Sequence, residues 1–245
     1  MMDGVLSPAF LQAACAKQKQ EIVSMRFTTD SADPVIEELS CEGKIVIESI
    51  KDGIATTAEY TDLNKVKTSI QADANSEIVI VGAVTEFILS DETWIDMSAI
   101  DITNCPGLKY LDISYCENIT ELDLSHSTSL EILSANSTAI ESLDFTNCLY
   151  RDTISVSGCK NLLSLNCGKA VTDQHSLTSL MIAGCSALTD IKVRLMDYNV
   201  LEDVRDHMSN YSELHGTIHS LSSDLYFDDA VAARPENWTV IGTWN

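Results

Sequence analysis

Between Met97 and Met196 the apolar residues keep one register: apolar-x-x-apolar-x-apolar-x-x-Cys/Ser/Thr. Ala99-Ile-Asp-Ile-Thr-Asn-Cys105 opens it. LKYLDISYCEN follows from Leu108, ITELDLSHSTS from Ile119, LEILSANSTA from Leu130 and IESLDFTNC from Ile140. RDTISVSGCKN from Arg151, LLSLNCGKA from Leu162, LTSLMIAGCSA from Leu177 and LTDIKV from Leu188 complete it. The second apolar anchor falls at Ile100, Leu111, Leu122, Leu133, Leu143, Ile154, Leu165, Leu180 and Ile191, with steps of 11, 11, 11, 10, 11, 11, 15 and 11. Self-similarity at a fixed period is the signature of a stacked repeat. Within each unit apolar and polar residues alternate, as in Leu111-Asp112-Ile113-Ser114, which predicts a short strand with one buried face. One unit cannot bury its apolar row alone, so neighbours must stack and stability becomes a nearest-neighbour sum.

Two units give about 22 residues, inside the range of about 20–29 for a leucine-rich repeat. The strings LKYLDISYCENITELDLSHSTSLEIL and LTSLMIAGCSALTDI resemble leucine-rich repeats. They are most similar to the short-period repeats of bacterial (Bacteroidetes-type) surface proteins, whose pattern runs LTxLDxSxNxxLTxL. The ladder Asn of that pattern is mostly replaced by Cys105, Cys116, Cys148, Cys159 and Cys185. The resemblance implies a β module ahead of the repeats, and SEIVIVGAVTEFILSD resembles the entry to the first coil. It also implies concave units starting near Leu108, Leu130, Arg151 and Leu177.

Ahead of the repeat, Ser7-Pro8 supplies an N-cap and first-turn proline, and Phe10, Leu11, Ala14 and Cys15 share a face, so residues 1–20 predict a helix. Residues 21–92 predict a small β module. Its strands are Ile22–Phe27, Lys44–Ile50, Ala55–Tyr60, Lys65–Ala72, Glu77–Val81 and Thr85–Leu89, with a hairpin turn at Lys51-Asp52-Gly53. Residues 93–196 are the solenoid and 197–245 a C-terminal cap. In the cap, Asn199–Met208 predicts a helix, Gly216–Leu221 a strand, Asp228–Ala233 a short helix and Trp238–Trp244 a closing strand that buries Trp238. The expected fold is thus mainly β, with α/β character from its caps: a leucine-rich-repeat solenoid behind a small β-sandwich-like module.

Charge narrows the function. The 37 acidic and 15 basic residues of the 245 give a net charge of −22, with no basic run. That argues against nucleic acid and anionic membrane surfaces as partners. No stretch is long and apolar enough to span a membrane. The first 20 residues lack a basic n-region and make a poor signal peptide, and Ala13-Ala14-Cys15 is a weak lipoprotein motif. Cytoplasmic synthesis with reduced thiols is therefore expected, with a virion or, for a trimmed chain, the cell surface as destinations. Eight cysteines form no CxxC pair, and five share the ninth repeat position, which reads as packing. Cys15, Cys41 and Cys167 follow no ladder.

Candidate chemistry is sparse. Asp101, Asp112, Asp123 and Asp144 share one repeat position, with Thr103, Ser114, Ser125 and Thr146 two residues on. Local turn bonding explains that pattern better than a cation ladder. The five histidines are scattered, and no hydrolase, metalloprotease, phosphate-loop or dinucleotide motif occurs. No catalytic residue, metal or cofactor is assigned. The expected function is a non-enzymatic module that binds a protein or glycan through the concave face. The named face is Lys109, Tyr110, Asp112, Ser114, Tyr115, Glu131, Ser134, Asn136, Ser137, Arg151, Asp152, Ser155, Ser157, Thr178, Ser179 and Met181. Tyr110 and Tyr115 are its best anchors. The alternative is a structural or adhesive component of a larger assembly, such as a phage virion or bacterial appendage, attached through residues 1–20. A hydrolase stands third.

Overall fold

The computed structural model describes residues 24–30, 32–89, 97–168, 177–220 and 223–242. The expected helix over 1–20, His175 and Trp244 lie outside the described residues. The described chain is mainly β. Strands β1 (Ser24–Thr29), β2 (Val35–Lys51), β3 (Ile54–Thr61), β4 (Val66–Ser69), β5 (Ser76–Ile88) and β6 (Met97–Asn104) pair antiparallel. β2 is the long member. It pairs β5 on one side, and β4 and then β3 on the other. Asp52 (φ 50°) and Gly53 (φ 78°) both take left-handed backbone, as a two-residue hairpin turn between β2 and β3 requires. Two strands expected separately, Glu77–Val81 and Thr85–Leu89, form the single strand β5. Gly82, at φ 132°, lets the chain pass where an added Cβ would lie 2.7 Å from the Lys44 carbonyl oxygen.

β5 then changes partner type. Its first half pairs antiparallel with β1, and Glu86–Ile88 pairs parallel with β7 (Tyr110–Asp112). β8 (Ile132–Ser134), β10 (Thr153–Ser155) and β12 (Ser179–Met181) extend this parallel ladder. The alternate units build a second parallel ladder from β9 (Ser142–Asp144), β11 (Ser164–Asn166), β13 (Asp190–Lys192), β14 (Gly216–His219) and β15 (Trp238–Ile241). The chain alternates between the ladders, and the anchors Phe87, Leu111, Leu133, Ile154 and Leu180 on one and Leu143, Leu165, Ile191 and Ile218 on the other are all buried. The first unit, expected to open the repeat, is instead the antiparallel strand β6: Ile100 pairs with Phe27 and is only partly buried.

Two turns close five of the units. The Cys116 N–H donates to the Ile113 carbonyl and the Ile119 N–H to the Cys116 carbonyl, and the same pair recurs at Cys105, Ser127, Cys159 and Cys185. The cysteines sit inside the stack. The Cys159 thiol donates to the Ala135 carbonyl at 3.0 Å and the Cys185 thiol to the Val156 carbonyl at 3.0 Å, each reaching the preceding circuit. Burial pushes the Cys105, Cys148 and Cys185 thiols up to about 12, which keeps the proton a donor needs. Cys167, expected to follow no ladder, takes the third apolar position of its unit, the place of Ile113 and Val156 in theirs, and is buried.

The cap differs from its neighbours. Beyond β13 the first ladder gains no further strand among the described residues. Helix α1 (Tyr198–Asn210), N-capped by Asp197, packs on β12 instead, and α2 (Phe227–Ala233) packs on α1 and β15. Two α1 side chains bond to repeat backbone. Asp203 accepts the Leu180 N–H. The buried His207 donates from Nε2 to the Leu188 carbonyl at 2.9 Å, against Tyr211 and Trp238. Its Nδ1 is buried without a partner.

Native protein carrying C15S should leave its seven remaining thiols, all buried, unlabelled by a water-soluble disulfide reagent at pH 8 and label all of them on unfolding. Fast native labelling would contradict the thiol-ladder geometry. The cap should titrate in two opposed ways. Burial lowers the His207 pKa below its ordinary value, so the native state resists protonation and its contribution is lost as pH falls through 6.5. Burial and then the Asp206 and Glu202 charges push Asp203 up to about 6, so its contribution is lost as pH rises from about 4 through 6. From pH 7 to 5, chemical melts should show wild type losing stability relative to His207→Gln and gaining relative to Asp203→Asn.

Candidate functional site

Each ladder turns rows of side chains outward. On the first ladder, strand register aligns Glu86, Tyr110, Ile132, Thr153 and Ser179 in one row, and Ile88, Asp112, Ser134, Ser155 and Met181 in the next. Fourteen of the sixteen residues expected on a binding face lie on this ladder or its turns with side chains partly or fully open; Arg151 and Ser155 are the exceptions. Arg151 is a correction. It occupies the first apolar position of its unit and is only 3% exposed, with its guanidinium donating to the Cys148 carbonyl. Sequence pattern alone gave it to the surface because it is charged; the stacked register leaves it nowhere else to go. Burial lowers its pKa, and the Cys167 and Cys148 sulfurs oppose that shift. Gly168, at φ 69°, makes room: an added Cβ would stand 3.3 Å from the Arg151 Cζ and 2.4 Å from the Phe145 carbonyl oxygen.

Ser155 is buried because the middle of the face is bonded to itself. Asn136 is the centre. Its N–H and its Nδ2 donate to Ser114 Oγ at 3.2 and 3.3 Å in the preceding circuit. Its Oδ1 accepts from Ser155 Oγ at 2.7 Å and from the Ser157 N–H at 2.8 Å in the following one. Four expected contact residues thus tie three circuits together. At the margin, Thr178 Oγ1 donates to Asp152 Oδ1 at 2.6 Å, and Lys109 pairs Glu131 at 3.9 Å. The shared Asp position closes local turns, as Asp101, Asp112, Asp123 and Asp144 each accept the N–H two residues on, at 2.8–2.9 Å.

Among the open charged and polar residues of this face stand four apolar or aromatic ones, Tyr110, Tyr115, Ile132 and Met181. Tyr110 and Ile132 are neighbours in register and partly exposed; Ile132 was missed because it reads as a core residue in the one-dimensional pattern. Tyr115 is 48% exposed and Met181 41%. Tyr115 also heads a column of left-handed turn residues: Tyr115 at φ 66°, Ser137 at 56°, Gly158 at 77° and Gly184 at 79°. Their N–H groups link successive circuits, from Tyr115 to the Asn136 carbonyl, Ser137 to Ser157 and Gly158 to Ala183, at 2.7–2.8 Å. Stacking keeps the lower members small, since a Cβ on Gly158 would meet Ser137 Oγ at 2.9 Å. A tyrosine is the costly choice at such a backbone, because L-residues pay about 1–2 kcal/mol there. Tyr115 is thus a bulky residue held in that conformation with nearly half of its surface open to solvent.

The second ladder presents a different surface. Ser142, Ser164, Asp190, Thr217 and Thr239 align in one row and Asp144, Asn166, Lys192 and His219 in the next. A shallow groove lined by β9, β11 and β13 follows the first part of these rows. Asn166 Nδ2 donates to Asp144 Oδ1 and Thr146 Oγ1 at 3.0 Å each, and His219 Nε2 lies 3.2 Å from Asp190 Oδ1. This surface is polar and largely satisfied within itself. No helix among the described residues is long and apolar enough to cross a membrane. No protein-family model, curated protein or solved structure matches the chain.

Tyr115→Gly removes the left-handed strain and should stabilise the fold by about 1 kcal/mol in denaturant melts. A loss of similar size would show that the ring is packed into the fold and not held out for a ligand.

Proposed function

We propose that this chain is a non-enzymatic leucine-rich-repeat solenoid that binds a protein partner through the outward face of its first ladder. The observation that carries the reading is Tyr115, an exposed aromatic held in a backbone conformation that its stacked neighbours fill with Ser or Gly. Tyr110 and Ile132 stand side by side in one row of the same ladder, and Asn136 holds the intervening turns in fixed register. A rigid platform carrying aromatic anchors suits protein recognition, because tyrosine brings a large contact area at small entropic cost. The strong negative charge supports a partner with a basic rim, since complementary fields raise the rate of encounter.

The test is selection of binders from a displayed peptide library on immobilised full-length chain, followed by titration of the selected peptides. Tyr110→Ala and Tyr115→Ala together should weaken the selected peptides by about 100-fold or more, as loss of two hot spots would. Binding unchanged by the double variant, or abolished instead by Asn166→Ala and Lys192→Ala, would move the site to the second ladder.

A further inference from the structure

A sheet edge left open invites another strand, and folded proteins close such edges with short strands, lysines, prolines, bulges or a covering element. Those devices recur through this chain. β4 has four residues and carries Lys67, which pairs Glu37 at 2.7 Å, with Lys65 beside it pairing Glu38 at 3.4 Å. The end of the first ladder at β12 is met by α1. β3 has none of them. It runs eight residues, Ile-Ala-Thr-Thr-Ala-Glu-Tyr-Thr, without Pro or Lys, and pairs β2 from Lys51–Ile54 to Lys44–Thr61 with no shift of register. Among the described residues it pairs no other strand. Seven of its eight residues are exposed, and Ile54 is 74% exposed.

We propose that β3 is a homodimerisation edge, pairing antiparallel with β3 of a second copy about a two-fold axis through Thr57. The two-residue turn at Asp52-Gly53 makes Lys51 and Ile54 a hydrogen-bonded pair. The N–H and C=O groups of Ile54, Thr56, Ala58 and Tyr60 therefore face β2, and those of Ala55, Thr57, Glu59 and Thr61 face outward. An antiparallel partner must match outward groups with outward groups, so a two-fold axis has to pass through a residue. Placed at Thr57, it sets Thr57 against itself, Ala55 against Glu59, Thr56 against Ala58 and Ile54 against Tyr60. No like charges face each other; Glu59 meets Ala55 and keeps its pairing with Lys44 at 2.8 Å. Ile54 and Tyr60 fall at non-hydrogen-bonded sites, where cross-strand side chains come closest. Tyr60 already packs against the core of its own chain, so the second copy's Ile54 would extend that core, and it does so twice. The sequence of β3 thus matches itself at the one register in which its most exposed apolar side chain gains an aromatic partner.

The measurement is the mass of the full chain by light scattering and sedimentation at about 0.15 M salt, where screening limits repulsion between two copies of charge −22. Wild type should be a concentration-dependent dimer. Thr57→Pro leaves the β2–β3 bonds in place but removes both central bonds between copies, and should weaken association about 30-fold. Thr57→Lys and Thr57→Glu should each be monomeric alone and form a mixed dimer when combined, because the residue faces its own copy. A wild type monomeric at about 100 µM, a dimer indifferent to these substitutions, or no rescue on mixing overturns the proposal. Far-UV circular dichroism and an unchanged melting temperature show that each variant is folded.

Discussion

The first parallel ladder depends on one change of partner inside β5. The second ladder starts at β9 with no described strand before it, whereas the first begins on a neighbour that offers backbone groups in register and a cover for its apolar row. Glu86–Ile88 supplies both. The same strand is held upstream by β1 and along its length by β2, so the pairing of Phe87 with Leu111 continues an antiparallel sheet. Leu133, Ile154 and Leu180 then inherit that register one strand at a time. Gly82 is where the constraint is tightest, since the chain threads past Lys44 and Ile45 with no room for a side chain.

The other end is closed by different means. α1 adds no strand there. It brings a carboxylate to one backbone N–H of the last first-ladder strand and an imidazole to a carbonyl further along. The second ladder meanwhile runs on through β14 and β15, where the Trp238 indole donates to the Tyr211 carbonyl at 3.0 Å and the ring packs so tightly on Gly216 that no larger residue fits. The cap is thus half repeat and half helix. It holds two ionisable groups whose protonation acts on stability in opposite directions.

The units and the burial of their anchors were legible because burial repeats, and repetition is visible without coordinates. The hairpin at Asp52-Gly53 and both cap helices were legible from local chemistry. Three features were not. Ile100 looks like every other anchor, yet an antiparallel neighbour, β1, claims its strand; pairing partners are not written in a one-dimensional pattern. Arg151 looks like a surface residue, and only the occupancy of its register position shows that it is inside. Asn136 looks like a contact residue, but its two amide atoms are consumed by Ser114, Ser155 and Ser157, which lie about 20 residues away on either side. Tyr115 was legible as an aromatic and not as a left-handed residue, because tyrosine gives no hint of positive φ.

The alternation between ladders also decides how such a chain tolerates added length. Ile154 and Leu180 are neighbours across 26 residues, and Leu165 and Ile191 are neighbours across 26 as well, whereas Leu111 to Leu133 takes 22. The two longer steps share one cause: extra residues between β11 and β12 lie on the path of both. Because the chain visits the ladders in turn, one insertion lengthens two successive steps and disturbs neither pairing, provided it enters at a turn. Growth by whole circuits leaves the Cys-to-carbonyl spacing untouched for the same reason. Length in this architecture is a nearly free variable along the stack axis and a fixed one across it. Such a stack can therefore lengthen its outward face without redesign of the core that carries it.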